Sequence, residues 1–191
     1  MKQSFAIFLT LALFAVVRPM SAQDQVSKFE AYGGYYYVHF NINASAAGGA
    51  PSETFNANGG GGQLEYNANR WLGLVGDMAG YGATATTNGA SVGGVFTYLV
   101  GPRVNLRREK FTPFAQVLFG GIWTTAGIGD SASENNFAMT AGGGIDFKVS
   151  SYVSIRPVQA EYFLTKIPDG LNNRQNNLRI GAGIVVRLGK L

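Results

Sequence analysis

The stretch FAMTAGGGIDFKV (residues 137–149) decides how the rest of the chain is interpreted. Most of its odd-numbered positions are apolar, whereas its even-numbered positions are small or polar and include Asp146 and Lys148. Alternation with a period of two is typical of a β-strand with two unlike faces. In a soluble barrel the apolar face fills the core. In a membrane barrel that face contacts lipid, and Asp146 and Lys148 point inside.

The same alternation recurs along the chain in segments of roughly ten residues, separated by turn-forming residues. The eight segments are 28–40, 59–68, 70–81, 90–101, 111–125, 135–149, 152–165 and 176–189. The connections after the second, fourth and sixth segments are short or basic, and the others are polar and rich in Gly, Asn or Ser. The sequence therefore predicts an all-β protein, an eight-stranded antiparallel up-and-down barrel with turns at one end and loops at the other.

The N-terminus has the features of a secretory signal peptide. Lys2 precedes an apolar run over residues 5–17, and the small residues Ser21 and Ala22 follow. The run is shorter than the about 20 residues that a transmembrane helix needs. We therefore expect a signal peptide over residues 1–22 and one barrel domain over residues 23–191.

Composition limits the kinds of ligand that the chain can bind. Without the two basic residues of the signal, 13 basic residues face 11 acidic ones, and this small excess gives no indication of a nucleic-acid partner. The chain has no cysteine, so it has neither disulfides nor zinc–thiolate sites. His39 is the only histidine, and a metal site would need more ligands than the sequence offers around it. We expect no metal and no cofactor.

The apolar faces are predicted to contact lipid. The opposite faces are poor in Lys and Glu and rich in Gly, Ala, Ser and Thr, unlike a solvated surface but suited to the narrow interior of eight strands. Aromatic residues lie mostly near segment ends, as in the interfacial girdles of membrane barrels. These residues are Tyr35, Tyr36, Tyr37, Phe40, Trp71, Tyr98, Trp123, Phe147, Tyr162 and Phe163. Transmembrane strands must close into a barrel because an open edge is not tolerated in hydrocarbon.

Charged residues on the inward faces predict an ion-pair network in the lumen. Glu161 and Arg179 fall almost opposite each other across the last hairpin, and an unpaired charge there would cost several kcal/mol. The predicted network comprises Glu65, Asp77, Asp146, Lys148, Glu161, Arg179 and Arg187. The facing of Arg156 is open because Pro157 could mark a bulge. The basic connection with Arg103, Arg107, Arg108 and Lys110 is interpreted as a periplasmic turn.

With these features in place, the chain resembles the small outer-membrane β-barrel family of the OmpA/OmpX-like type. The resemblance rests on TPFAQVLFGG (112–121), GGGIDFKVSSYVSIRPVQAEYF (142–163) and LRIGAGIVVRLG (178–189). It implies a Gram-negative outer-membrane location and recognition of the last strand by the barrel-assembly machinery. The alternation of short and long connections further predicts that both termini are periplasmic. The chain ends in Leu191 instead of the family's usual aromatic residue.

The function predicted from these features is that of an integral outer-membrane barrel with a narrow or plugged lumen and a structural or surface-interaction role. Its partners would be outer-membrane lipid and lipopolysaccharide, and a partner at the extracellular surface is left open. The alternatives are a small channel gated by Glu161 and Arg179, and a soluble lipocalin-like binder of apolar ligands. We expect no enzyme, because nothing in the sequence fixes His39 against a nucleophile such as Ser45 or Ser52.

Overall fold

The computed structural model describes residues 26–42, 53–85, 91–124, 134–166 and 174–189. They form eight strands in a closed barrel. The strands are β1 (Phe29–Ile42), β2 (Glu53–Asn67), β3 (Leu72–Ala85), β4 (Ser91–Asn105), β5 (Phe111–Thr124), β6 (Glu134–Lys148), β7 (Val153–Thr165) and β8 (Gln175–Leu188). The predicted eight-stranded all-β architecture is confirmed. Within the described ranges, no helix is long and apolar enough to cross a membrane.

Every strand pairs antiparallel with its neighbours in sequence, and β1 pairs with β8 to close the barrel. The closing register runs from Phe29 opposite Leu188 to His39 opposite Leu178. Closure gives every strand two hydrogen-bonded neighbours, which is the condition for placing a sheet in hydrocarbon.

The apolar faces of the strands point outward. Leu64 and Met78 are exposed, whereas their neighbours Glu65 and Asp77 are almost fully buried. In the stretch 137–149, Phe137 and Phe147 are exposed and Asp146 is buried. A soluble barrel would have the reverse arrangement, so the lipocalin-like alternative is wrong.

The first four strands are longer than the predicted segments. The stretch 41–58, which the sequence suggested as a single loop, contributes residues 41–42 to β1 and 53–58 to β2. The basic connection is also shorter than predicted, because β4 continues to Asn105 and includes Arg103. Strands of 13 to 15 residues exceed the 9 to 11 that span the hydrocarbon region, so they extend beyond the apolar band.

A bulge in β7 resolves the facing of Arg156. Its register with β8 shifts between Arg156 and Gln159, around Pro157, which has no N–H to donate. Before the shift the even positions Ser154 and Arg156 are buried, and after it the odd positions Gln159 and Glu161 are buried. The extra residue therefore lets all four side chains face the lumen.

Two glycines at the seam between β1 and β8 allow a matched stability test. A Cβ at Gly183 would lie 2.3 Å from the Gly33 carbonyl oxygen and 2.6 Å from Gly34 Cα, whereas a Cβ at Gly33 would meet nothing within 4 Å. We expect Gly183→Ala to lower the unfolding free energy by about 1–3 kcal/mol, because the backbone must move. Gly33→Ala is the control and should be nearly neutral. Equal urea midpoints for the two variants would contradict this account of the seam.

Candidate functional site

The lumen contains a balanced set of ionisable side chains. Within the described part of the chain, five carboxylates and five arginines occupy inward positions on the strands or beside them. The carboxylates are Glu30, Glu65, Asp77, Asp146 and Glu161, and the arginines are Arg103, Arg107, Arg156, Arg179 and Arg187. Arg107 and Arg187 are half-buried and the other eight are buried.

Arg179 of β8 connects opposite sides of the barrel. Its Nε donates to Glu161 Oε2 on β7 at 2.7 Å, and its Nη1 donates to Asp77 Oδ1 on β3 at 3.0 Å. Nη2 adds a second bond to Asp77, and the guanidinium lies 4.7 Å from the ring centroid of Tyr36. Arg179 therefore pairs with one carboxylate on the neighbouring strand β7 and with another on β3, which is not a neighbour of β8. These two pairs restrain the shape of the barrel.

Arg156 forms the second centre of the network. Its Nε and Nη2 donate to the two oxygens of Asp146 at 2.6 and 3.0 Å, a bidentate pair. Its Nη1 donates to the side-chain oxygens of Gln63 and Gln159, both at 2.7 Å. The guanidinium also stacks over Phe114, with 4.3 Å between its carbon and the ring centroid. The hydrogen bonds of this buried cation thus all go to acceptors inside the barrel.

Arg103 forms the third centre. Its Nη1 donates to Glu65 Oε2 at 2.8 Å, and its Nε donates to Gln116 Oε1 at 2.8 Å. Asn105, on the same strand, donates its side-chain amide to the other oxygen of Glu65. Arg103 and Asn105 therefore connect β4 to β2, and Arg103 also connects β4 to β5.

Three glutamines join the centres into one network. Gln63 accepts from Arg103 and Arg156 and donates to Asp77 Oδ2 at 2.8 Å. Gln116 donates to Glu161 Oε1 at 2.7 Å, and Gln159 donates to Glu161 Oε2 at 2.9 Å. Because an amide can both donate and accept, these residues connect cations and carboxylates that do not meet directly.

A further ion pair lies at the turn end of the lumen. Arg107, just after β4, donates its Nη1 to Glu30 Oε1 at 2.7 Å and its Nη2 to Asn67 Oδ1 at 2.8 Å. Arg187 is the register partner of Glu30 on β8, and its Nη1 is buried without a hydrogen-bond partner. The pair ties the segment after β4 to the beginning of β1.

The residues that the sequence predicts for the ion-pair network differ in their burial. Five of them, Glu65, Asp77, Asp146, Glu161 and Arg179, are buried and form ion pairs with arginines or carboxylates inside the barrel. Arg187 lies at the half-buried end of the lumen. The prediction that Lys148 faces the lumen is wrong, because this residue is exposed at the end of β6.

Sequence reasoning missed two of the three central arginines. Pro102 and the basic residues after it favour a turn at Arg103, although Val100, Pro102 and Val104 continue the outward face. The facing of Arg156 cannot be predicted from the sequence, since alternation cannot be counted through a bulge. The glutamines could have been found as the polar residues at inward positions beside charged ones.

Three of the aromatic residues predicted for the interfacial girdles lie in the lumen instead. Tyr36, Phe40 and Phe163 are fully buried, and the rings of Phe40 and Phe163 pack edge to face with 5.9 Å between centroids. They occupy inward positions, so strand parity, not distance from the strand end, determines where an aromatic side chain lies. Trp71, Trp123, Tyr98, Phe147 and Tyr162 are exposed as predicted.

On the loop side of the ion network, apolar side chains fill much of the lumen, beside buried polar ones such as Thr140, Thr165 and Gln175. Phe40 and Phe163 lie two residues beyond Val38 and Glu161 along their strands, toward the loops. We call the group the apolar cluster. It comprises Val38, Phe40, Ala57, Val95, Leu118, Ile122, Ala138 and Phe163, each at most 3% exposed. The lumen is therefore filled mainly by paired charges toward the turns and mainly by apolar side chains toward the loops.

No second chemical site emerges from the described residues. They contain no group of three or more His, Cys, Asp or Glu that could hold a metal ion. His39 is exposed, and its Nδ1 lies 2.8 Å from Asn56 Oδ1. Ser45 and Ser52, the hydroxyls considered as nucleophiles, lie outside the described residues.

An apolar outer face around a closed, charge-filled interior defines the class of transmembrane β-barrels. A family model described as "Outer membrane protein beta-barrel domain" matches residues 6–184, and the chain belongs to that family. The resemblance seen in the sequence is thereby confirmed, and the chain is a Gram-negative outer-membrane protein. A search of curated proteins gave no match.

Solved structures of small outer-membrane proteins share the fold. Neisserial surface protein A is 14% identical, with a TM-score of 0.60 and coverage of 85% of this chain and 98% of that one. Outer membrane protein OprG of Pseudomonas aeruginosa is 11% identical, with a TM-score of 0.54 and coverage of 86% and 97%. Ail, the attachment invasion locus protein of Yersinia pestis, is 18% identical, with a TM-score of 0.50 and coverage of 84% and 99%. At these identities the likeness concerns the fold alone.

Removal of Arg179 tests the network. We expect Arg179→Met to lower the unfolding free energy by about 3–5 kcal/mol, because Asp77 and Glu161 would remain buried as unpaired charges. The measurement is urea unfolding of the detergent-folded protein, followed by the gel mobility of unboiled samples. A triple variant with Asp77→Asn and Glu161→Gln should recover part of the loss. Arg174→Met, at an exposed arginine, is the matched control, and an equal effect there would contradict the assignment.

Proposed function

We propose that this protein is a sealed, non-enzymatic barrel that contributes to the outer membrane as a structural element and presents its loops for surface interaction. The observation that supports this best is the filled lumen, in which the ion network and the apolar cluster succeed each other along the barrel. An eight-stranded barrel is just wide enough for its own side chains to fill it, and here both polar and apolar residues do so.

The gated-channel alternative is disfavoured by the same arrangement. Separating Glu161 from Arg179 would leave Arg179 bound to Asp77, Tyr81 and the ring of Tyr36. Any ion that passed this level would still meet the apolar cluster, and an apolar constriction opposes the entry of water and ions. Glu161 and Arg179 are therefore better explained as a structural pair than as a gate.

The orientation that we propose places the turns and both termini in the periplasm and the four connections after β1, β3, β5 and β7 outside. Short turns on the periplasmic side and longer loops outside are the rule for bacterial barrels of this kind. The loops would then contact lipopolysaccharide and any surface partner. The alternating apolar face of β8, from Leu178 to Leu188, suits recognition by the barrel-assembly machinery.

Planar-bilayer recording distinguishes a sealed barrel from a gated one. We expect neither the wild type nor Glu161→Ala to produce discrete openings, because the apolar cluster remains in both. Glu109→Ala, at an exposed turn residue, is the matched control, and each sample should first show a heat-dependent mobility shift as proof of folding. Discrete openings that appear in Glu161→Ala but not in Glu109→Ala would support the gate and overturn the sealed barrel.

Cysteine labelling tests the orientation, since the chain itself has no cysteine. Asn88 lies between β3 and β4, and Ser151 lies in the turn between β6 and β7. With a membrane-impermeant maleimide on intact cells, Asn88→Cys should react and Ser151→Cys should react only after the outer membrane is permeabilised. The opposite pattern would place the loops in the periplasm.

A further inference from the structure

We propose that the turn end of the barrel carries a collar that binds anionic phospholipid headgroups. The collar consists of five basic residues, all exposed: Lys28, Arg70, Arg108, Lys110 and Lys148. Glu109 is the one exposed acidic residue among the described residues at this end. The partner is thus a bilayer surface that contains anionic lipid, and with the orientation proposed above it is the periplasmic leaflet of the outer membrane.

The collar residues are spread around the circumference of the barrel. Lys28 precedes β1, Arg70 lies in the turn between β2 and β3, and Lys148 ends β6. Arg108 and Lys110 lie in the turn between β4 and β5. Each corner of the turn end therefore contributes at least one cation, and a ring of this kind suits a surrounding annulus of headgroups better than a single compact ligand.

Exposed aromatic residues place the collar at the height of the headgroups. Trp71 follows Arg70 and is 57% exposed, Phe111 follows Lys110, and Phe147 precedes Lys148. Aromatic side chains on the outer face of a membrane barrel concentrate at the boundary between hydrocarbon and water. Basic residues next to them in sequence consequently lie within reach of lipid phosphates, where each Lys or Arg adds to the attraction to an anionic surface.

The charge of the collar is not cancelled from inside the barrel. The five carboxylates of the lumen are paired with four of its five arginines, and because the two kinds of charge are equal in number the lumen itself is neutral. The opposite end has the reverse balance: Lys166 and Arg174 are outnumbered by the acidic residues at the loop ends of the strands and between them. These acidic residues are Glu53, Asp130, Glu134 and Asp169. By position in the sequence, the excess of basic residues therefore lies at the turn end.

The two tryptophans of the chain allow the two ends to be compared in one protein, because Trp71 lies at the turn end and Trp123 at the loop end. Single-tryptophan proteins, Trp123→Phe and Trp71→Phe, would be folded into vesicles of dioleoylphosphatidylcholine. Brominated phosphatidylglycerol or brominated phosphatidylcholine would then be added at equal mole fraction, and the quenching of tryptophan fluorescence measured. Both leaflets have the same composition, so the result does not depend on orientation in the vesicle.

We expect Trp71 to show preferential quenching by the anionic lipid, with a relative association constant several times that of the zwitterionic lipid. About 1 kcal/mol per cation corresponds to roughly fivefold, which is the scale expected for one or two cations near the fluorophore. The preference should fall in 0.5 M salt and should be absent at Trp123. In a variant with Arg70, Arg108, Lys110 and Lys148 all changed to Gln, Trp71 should lose it.

The matched control changes Lys166→Gln and Arg174→Gln, at the loop end, and should leave the preference at Trp71 intact. Equal quenching of Trp71 by the two lipids in the otherwise unchanged protein would overturn the proposal, as would an equal preference at Trp123. Because this comparison needs no charge substitution, it remains decisive if the fourfold variant fails to fold. A negative result would leave the sealed barrel standing, since sealing is tested by conductance and orientation by labelling.

Discussion

The pairing of every carboxylate in the lumen with an arginine is the constraint on which the rest of the structure depends. Closure of eight strands leaves an interior too narrow for bulk water, so a charged side chain that points inward must find its partner in the protein. Arg179 does so by reaching Asp77 across the barrel as well as Glu161 beside it. The same constraint explains the glutamines, which satisfy the remaining donors and acceptors between the ion pairs.

The pairing also restrains the register of the strands. A shift of one residue between two strands would move every inward side chain to the lipid face and bring apolar residues inside. In β7 the bulge around Pro157 keeps Arg156 and Glu161 on the same face although their spacing is odd. The irregularity in the strand thus serves the network, because without it one of the two charges would face hydrocarbon.

Much of this arrangement could be predicted from the sequence, because the two faces of each strand differ so strongly in composition. The alternation gives the number of strands, their order and the burial of Asp77, Asp146 and Glu161. The ends of the strands are harder to predict, since residues 53–58 lie beyond the apolar band and carry no lipid-facing pattern. Arg103 was missed because Pro102 resembles a turn residue, yet a proline is acceptable where its side chain faces outward. Tyr36, Phe40 and Phe163 were misplaced because an aromatic side chain suits both a girdle and a filled core.

The apolar cluster separates the loops from the ion network. The residues that determine closure and register lie in the strands, on the turn side of the cluster, whereas the long connections begin on its other side. Substitution, insertion or exchange of a loop would therefore meet little resistance from folding. With the orientation proposed above, such a barrel can diversify what it displays to the outside of the cell while the part that makes it a barrel stays the same, so that the surface and the scaffold can evolve at different rates.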